Sequence, residues 1–157
     1  MKPERVRIAD KSDEEELMAI CRELHQENGL FAMNEDKVRD MLYRSFDRQG
    51  GIVGVIGAPG GIEGLICMIM STFWYSNDPH WEELFSFVLP QYRRSTNAKD
   101  LIEFAKWCAD GTGFPLVIGI LSNERTESKV RLYQRQLDKP IGAFFKYTPQ
   151  KALQAAE

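Results

Sequence analysis

The segment Arg93-Arg94-Ser95-Thr96-Asn97-Ala98 joins an apolar run, Trp81 to Leu89, to an amphipathic one, Lys99 to Ala109. Two guanidinium groups and three small polar residues stand where a strand would give way to a helix. A helix N-terminus presents N–H groups without internal partners and about half a positive charge, which together attract anions. The segment is therefore a candidate phosphate site. Glu82 and Glu83 form a carboxylate pair at the head of the apolar run. A carboxylate whose pKa is raised by burial can take a proton near neutral pH. Successive strand residues face opposite sides, so only one of the two can point at a given site. Strict alternation gives Glu82 the parity of Leu84, Ser86 and Val88. Tyr133 lies in a later amphipathic run. An unperturbed phenol, with a pKa near 10, stays protonated at neutral pH and can donate.

These residues need a scaffold, and the periodicity of the chain suggests one. Val6 to Ala9 alternates as a short strand. Ser12-Asp13-Glu14-Glu15 fits a capping box, followed by a helix carrying Leu17, Ile20, Cys21 and Leu24 to about Asn28-Gly29. A second helix starts near Asn34-Glu35 and carries Val38, Met41, Leu42 and Phe46. Ile52 to Ile56 and Ile62 to Tyr75 read as the strands of an antiparallel hairpin around Ala58-Pro59-Gly60-Gly61. A turn at Ser76 to Pro79 precedes the strand Trp81 to Leu89. After the Lys99 to Ala109 helix come a strand at Pro115 to Leu121, a helix at Thr126 to Leu137 and a last strand at Ile141 to Tyr147. The order β-α-α-β-β-β-α-β-α-β is α+β, with a central mixed, mostly antiparallel sheet and helices on both faces. The reading is one domain over residues 1–148 and a C-terminal tail over 149–157.

Bulk properties narrow the function classes. A chain of 157 residues suits one domain. A net charge of -3 gives no global attraction to nucleic acid or to an anionic membrane. No apolar run reaches the roughly 18 residues that a membrane span needs. The charged N-terminus does not read as a signal peptide. Cys21, Cys67 and Cys108 are isolated in apolar contexts, which suggests reduced thiols and a cytoplasmic protein. Two scattered histidines do not suggest a metal site.

The element order resembles that of the GNAT family, the Gcn5-related N-acetyltransferases, over nearly the whole chain. The resemblance is sharpest at Val88-Leu89-Pro90-Gln91-Tyr92 leading into Arg93 to Ala98. It is similar to the family's V-x-P-type turn and its pyrophosphate loop, Q/R-x-x-G-x-G/A. Arg93 takes the first loop position and Ala98 the last, and Thr96 stands where the family usually has glycine. The resemblance implies acetyl-CoA or coenzyme A as cofactor. Phe87 and Val88 would bind pantetheine through their backbone, and Arg93, Arg94, Ser95, Thr96, Asn97, Ala98 and Asn123 would complete the cofactor set. A segment resembling A-x-x-L-Y-x-k-x-G-F surrounds Tyr133, which would protonate the departing thiolate. There Leu137-Asp138 replaces Gly-Phe, and Asn123 lies further upstream than the family's asparagine. The family's glutamate on the central strand favours Glu82 as base, with Glu83 or a water chain as alternatives.

The implied activity is acetyl transfer from acetyl-CoA to a primary amine, on a small molecule or a protein, by direct attack. The alternative is a non-catalytic CoA-binding or protein-interaction module on the same fold. Phe73, Trp74, Tyr75 and Trp81 either wall an acceptor pocket or fill core positions at strand ends. Acidic groups in residues 25–28 and 34–36 are candidates for selecting a cationic amine, or are solvated helix faces. Arg93, Arg94, Lys99 and Lys106 form a basic cluster, but Asp100, Glu103 and the acidic balance argue against nucleic acid. No metal or membrane is implied, and a homodimer is compatible with the sequence.

Overall fold

The computed structural model describes residues 1–123 and 125–149. Five strands form one sheet: β1 (Val6–Ile8), β2 (Gly51–Ile56), β3 (Gly64–Ser71), β4 (His80–Val88) and β5 (Leu116–Val117). They lie in sequence order. β1 to β4 are antiparallel neighbours, and only β4 and β5 run parallel. The helices are α1 (Glu14–Asn28), α2 (Glu35–Phe46), α3 (Asn97–Thr112) and α4 (Thr126–Gln136). The mixed sheet with helices on both faces is as expected from the sequence.

Alternation explains the two layers. In β2 and β3, Ile52, Ile56, Ile66 and Met68 face α3, where they pack on Leu101, Phe104 and Ala105. Val53, Val55, Leu65 and Cys67 face the other way and meet Leu17, Met18 and Ile20 of α1 and Leu42 of α2. Both strands are buried on both faces, which is why they read as unbroken apolar runs. The hairpin between them turns on Gly57 at φ +106, where a Cβ would lie 2.1 Å from the carbonyl oxygen of Gly61. Glu16 of α1 secures that turn by accepting from the N–H groups of Gly60 and Ile62, each at 2.7 Å.

Several expected boundaries move. The capping box is set on Asp10 and Asp13, around a short 3-10 turn before α1, and not on Ser12 and Glu15. Asp13 is the better partner because Arg7 holds its carboxylate in a two-pronged contact at 2.7 and 2.8 Å. β3 ends at Ser71, paired with His80, so Phe73, Trp74 and Tyr75 lie in the connecting loop. The strand expected at Pro115 to Leu121 shortens to two residues, paired with Trp81 and Glu82, and the pairing stops where β4 carries a bulge. No strand forms at Ile141 to Tyr147. Ile141 and Phe145 are 89% and 96% exposed, so the apolar alternation there is not matched by pairing or packing on the sheet. Of the expected tail, residues from 150 on lie outside the described residues.

The ends of α1 and β5 fix where α4 sits. Asn28, buried at the last position of α1, accepts through Oδ1 from Ser122 Oγ at 3.1 Å and from the Asn123 N–H at 3.3 Å. Trp81 ties β4 to the start of β5: its N–H donates to the Pro115 carbonyl at 2.8 Å, and its Nε1 to Thr112 Oγ1 at 2.9 Å.

Candidate active site

The centre of the site comes from an irregularity that alternation cannot foresee. Across the β3–β4 ladder Cys67 faces Phe85, but Met68 faces Glu83, so Leu84 is an extra, unpaired residue. A one-residue bulge reverses the parity of everything before it. Glu83, and not Glu82, therefore shares a face with Ser86 and Val88. Glu83 is only 7% exposed. Tyr133 of α4 donates from its hydroxyl to Glu83 Oε1 at 3.2 Å. Burial pushes the Glu83 carboxyl up to about 8, partly offset by the Tyr133 hydrogen bond and the charge of Lys129. Burial, and then the Glu83 charge, holds the Tyr133 phenol well above its ordinary value. Glu82 is half-buried on the opposite face, between Ile69 of β3 and Val117 of β5.

A cavity of about 250 Å³ runs from Tyr133, with Glu83 buried behind it and outside the lining, to the N-terminus of α3. Ser86, Phe87 and Val88 form its sheet wall, and Tyr92, Arg93, Ser95, Ala98 and Lys99 form its loop end. Arg125, just before α4, and Ser128, Lys129, Leu132 and Tyr133 on it close the opposite side. Beyond Glu82, β4 has no strand on its β5 side among the described residues, so its outward backbone groups, apart from the Val88 carbonyl that Arg93 holds, have no strand partner there. No partner is found among the described residues for the N–H groups of Ala98 and Lys99, in the first turn of α3. Lys99, Arg125 and Lys129 bring cations to the same space. Donors at a helix N-terminus, cations with no ion-pair partner among the described residues and an open strand edge suit a phosphate-bearing ligand with an amide-containing arm, as coenzyme A is. Burial lowers the pKa of Lys129, opposed by the charges of Glu83 and Glu27.

The loop carries its expected residues in different roles. Thr96 sits at φ -84, a backbone region that any residue adopts, so the glycine position is filled without strain. Its Oγ1 donates to Asp100 Oδ2 at 2.9 Å and accepts from Arg5 Nη1 at 3.2 Å. Neither bond reaches into the cavity. Arg93 is occupied as a strut. It donates to the Val88 carbonyl at 3.0 Å and to Glu27 Oε2 at 2.6 Å, and its guanidinium lies over the Phe87 ring. Arg94 is exposed and outside the cavity lining. The Asn97 side chain is buried and donates to Glu63 Oε2 at 2.8 Å, directed away from the ligand space. Asn123 donates through Nδ2 to the Glu27 carbonyl at 3.0 Å and also lies outside the lining.

Sequence reasoning missed Ser86, Lys99, Arg125, Lys129 and Leu132 as cavity residues. Lys129 and Tyr133 are four apart on α4, which is a signal that they share a face. The other expected features divide. Trp81 is core, whereas Phe73 and Trp74, at 43% and 94% exposed, are not. Glu35 is held by Arg22 at 2.7 Å, and Glu27 by Arg93. Asp36 and Asp40 line a second cavity beside α2, together with Lys37 and Arg44. Of the basic cluster, Arg93 and Lys106 are paired with Glu27 and Glu103. Among the described residues, no helix is long and apolar enough to cross a membrane.

No family model and no curated protein matches the chain. Solved structures do. The aminoglycoside N-acetyltransferase AAC(6')-Iy, in complex with the bisubstrate analogue CoA-S-monomethyl-acetylneamine, is 17% identical with a TM-score of 0.71. That match covers 92% of this chain and 97% of the other. An integron cassette protein from the mobile metagenome of Cole Harbour Salt Marsh reaches 0.73 at 16% identity, over 96% and 93%. A Trypanosoma brucei acetyltransferase reaches 0.66 at 16% identity, over 92% and 98%. Identities this low carry the fold alone, and the chain has the acyltransferase fold of the GNAT enzymes.

Proposed function

We propose that the protein transfers an acetyl group from acetyl-CoA to a primary amine by direct attack, with Glu83 as base and Tyr133 as acid. The observation that carries this reading is Tyr133, backed by the buried Glu83 at 3.2 Å, at one end of a cavity whose other end is the α3 N-terminus. The N–H groups of Ala98 and Lys99 and the side chains of Lys99 and Arg125 would hold the phosphates. The open edge of β4 near Phe87 and Val88 would hold the pantetheine amides. Acetyl-CoA supplies an activated thioester when bound.

The chain's own residues then have two tasks. An amine attacks only when neutral, so an ammonium must first lose a proton. A Glu83 carboxyl near 8 is matched to that task around neutral to mildly alkaline pH, being basic enough to take the proton once ionised. Tyr133, held protonated by burial and by its acidic neighbour, keeps a proton to give to the departing thiolate. Arg93 keeps the end of β4 and the end of α1 in register around the cavity. Nothing in this scheme uses Glu82.

The test is thiol release from acetyl-CoA with a panel of amines, across pH. The expected kcat/KM rises with a midpoint near the Glu83 value, and Glu83→Gln loses that limb. Failure of every amine to release thiol, or an unchanged profile in the variant, overturns the proposal. A cytoplasmic location is part of the same reading, supported by three buried free cysteines. So is a homodimer, supported by the exposed Ile141, Phe144, Phe145 and Tyr147, with light scattering as its check.

A further inference from the structure

Lys129 is a half-buried cation that the proposed reaction does not use. It lines the same cavity as Tyr133 and precedes it by four residues on α4. Four residues rise about 6 Å along a helix and fall on one face. Helical side chains lean toward the N-terminus, so the Tyr133 ring tilts over the turn that carries Lys129. Both side chains line the cavity, and Lys129 and Glu83 feel each other's charge, which puts the amine near the carboxylate that the phenol contacts. The charged groups that influence it come from four places: Glu83 on β4, Glu27 on α1, Arg125 just before α4 and Arg93 on the loop. Glu27 is already engaged by Arg93 at 2.6 Å, and no carboxylate lies within ion-pair distance of Lys129 among the described residues. The result is a weakly held amine, four residues from the proposed acid and within the field of the proposed base.

We propose that Lys129 is an internal acetyl acceptor: with acetyl-CoA in the cavity, its amine becomes acetylated within the same chain. This rests on the assignment of the cavity to acetyl-CoA. The balance is simple. Neutral Nζ forms a bond to the thioester carbonyl carbon, and the carbon–sulfur bond breaks. Nζ gives its extra proton to Glu83, and the thiolate of coenzyme A takes one from Tyr133. The burial that lowers the Lys129 pKa increases the neutral fraction available for attack. The product is an uncharged amide that fills part of the cavity and removes one of its cations. Acetylated protein should therefore bind CoA more weakly, which makes the modification self-limiting.

The experiment incubates the purified full chain with acetyl-CoA and no amine. Intact mass is followed over time, the modified peptide is mapped, and a CoA thermal shift is measured on the same sample. The expected result is one addition of about 42 Da on Lys129, the mass of lysine acetylation. Its rate should be independent of protein concentration, blocked by excess CoA and lost in Lys129→Arg. Tyr133→Phe should slow the addition while leaving the CoA shift in place. A CoA shift with unmodified Lys129 overturns this proposal and leaves the proposed function standing. Acetyl groups scattered evenly over surface lysines overturn it as well. Absence of a CoA shift removes both.

Discussion

Replacing Glu83 with glutamine should flatten the pH dependence of stability, and the size of the effect follows from its burial. The carboxyl titrates near 4.5 in the unfolded chain and near 8 in the folded one. Between those values the folded state binds more protons than the unfolded state, so stability falls as pH rises. At 1.36 kcal/mol per pKa unit, the penalty is about 2 kcal/mol at about pH 6 and roughly 4 to 5 kcal/mol at about pH 8.5. The wild type should thus lose roughly 2 to 3 kcal/mol across that window, equivalent to a Tm drop of roughly 5 to 10 °C for a chain of this size. Glutamine keeps an acceptor for the Tyr133 hydroxyl but has no proton to lose. Lys129, whose pKa is lowered, contributes a slope of opposite sign, which is why the comparison must be wild type against variant at each pH. The buried thiols, pushed up to about 11 and 12, act only at higher pH. The assay is thermal unfolding at a series of pH values in constant salt. Parallel wild-type and Glu83→Gln curves would refute the assignment of a buried, proton-holding carboxyl.

Tyr133→Phe should lower kcat by about 10²-fold or more, as loss of a general acid does, with CoA affinity changed less than about threefold; an equal loss in both would remove its role. Thr96→Ala should leave CoA affinity within about threefold, since its hydroxyl serves Asp100 and Arg5, and should cost no more than about 1 kcal/mol of stability. A large affinity loss measured by calorimetry would place Thr96 in the site after all. Arg93→Ala should destabilise by about 1.5 to 3 kcal/mol by freeing the Val88 carbonyl and Glu27, while Arg94→Ala should stay within about 0.5 kcal/mol in the same denaturation assay.

Most of the scaffold was legible because its signals are periodic. β2 and β3 are apolar on both faces, Asn34 caps α2 through a bond to the Lys37 N–H, and the Lys99 to Ala109 run presents Leu101, Ile102, Phe104 and Ala105 to the core. The site was less legible because it depends on an interruption of period. Nothing in Glu82-Glu83-Leu84-Phe85 marks Leu84 as an extra residue, yet that residue decides which carboxylate faces Tyr133. Arg93 misled for a related reason. A guanidinium in a phosphate loop is read as a phosphate ligand, but its partner Glu27 lies 66 residues away, beyond any local pattern. The early end of β3 and the missing last strand share a cause. Aromatic and β-branched runs favour strands only where their side chains also pack against neighbouring strands, and Phe73, Trp74, Ile141 and Phe145 are exposed.

The central claim is that the cavity between β4 and α4 binds acetyl-CoA, and thermal unfolding with added acetyl-CoA tests it most directly. At about 100 times the dissociation constant, the ligand should stabilise the folded chain by roughly 2.7 kcal/mol. That corresponds to a rise in Tm of about 5 to 10 °C. The rise should shrink in Lys99→Ala, which removes a cation at the α3 end of the cavity. An unchanged Tm at millimolar acetyl-CoA would contradict the account.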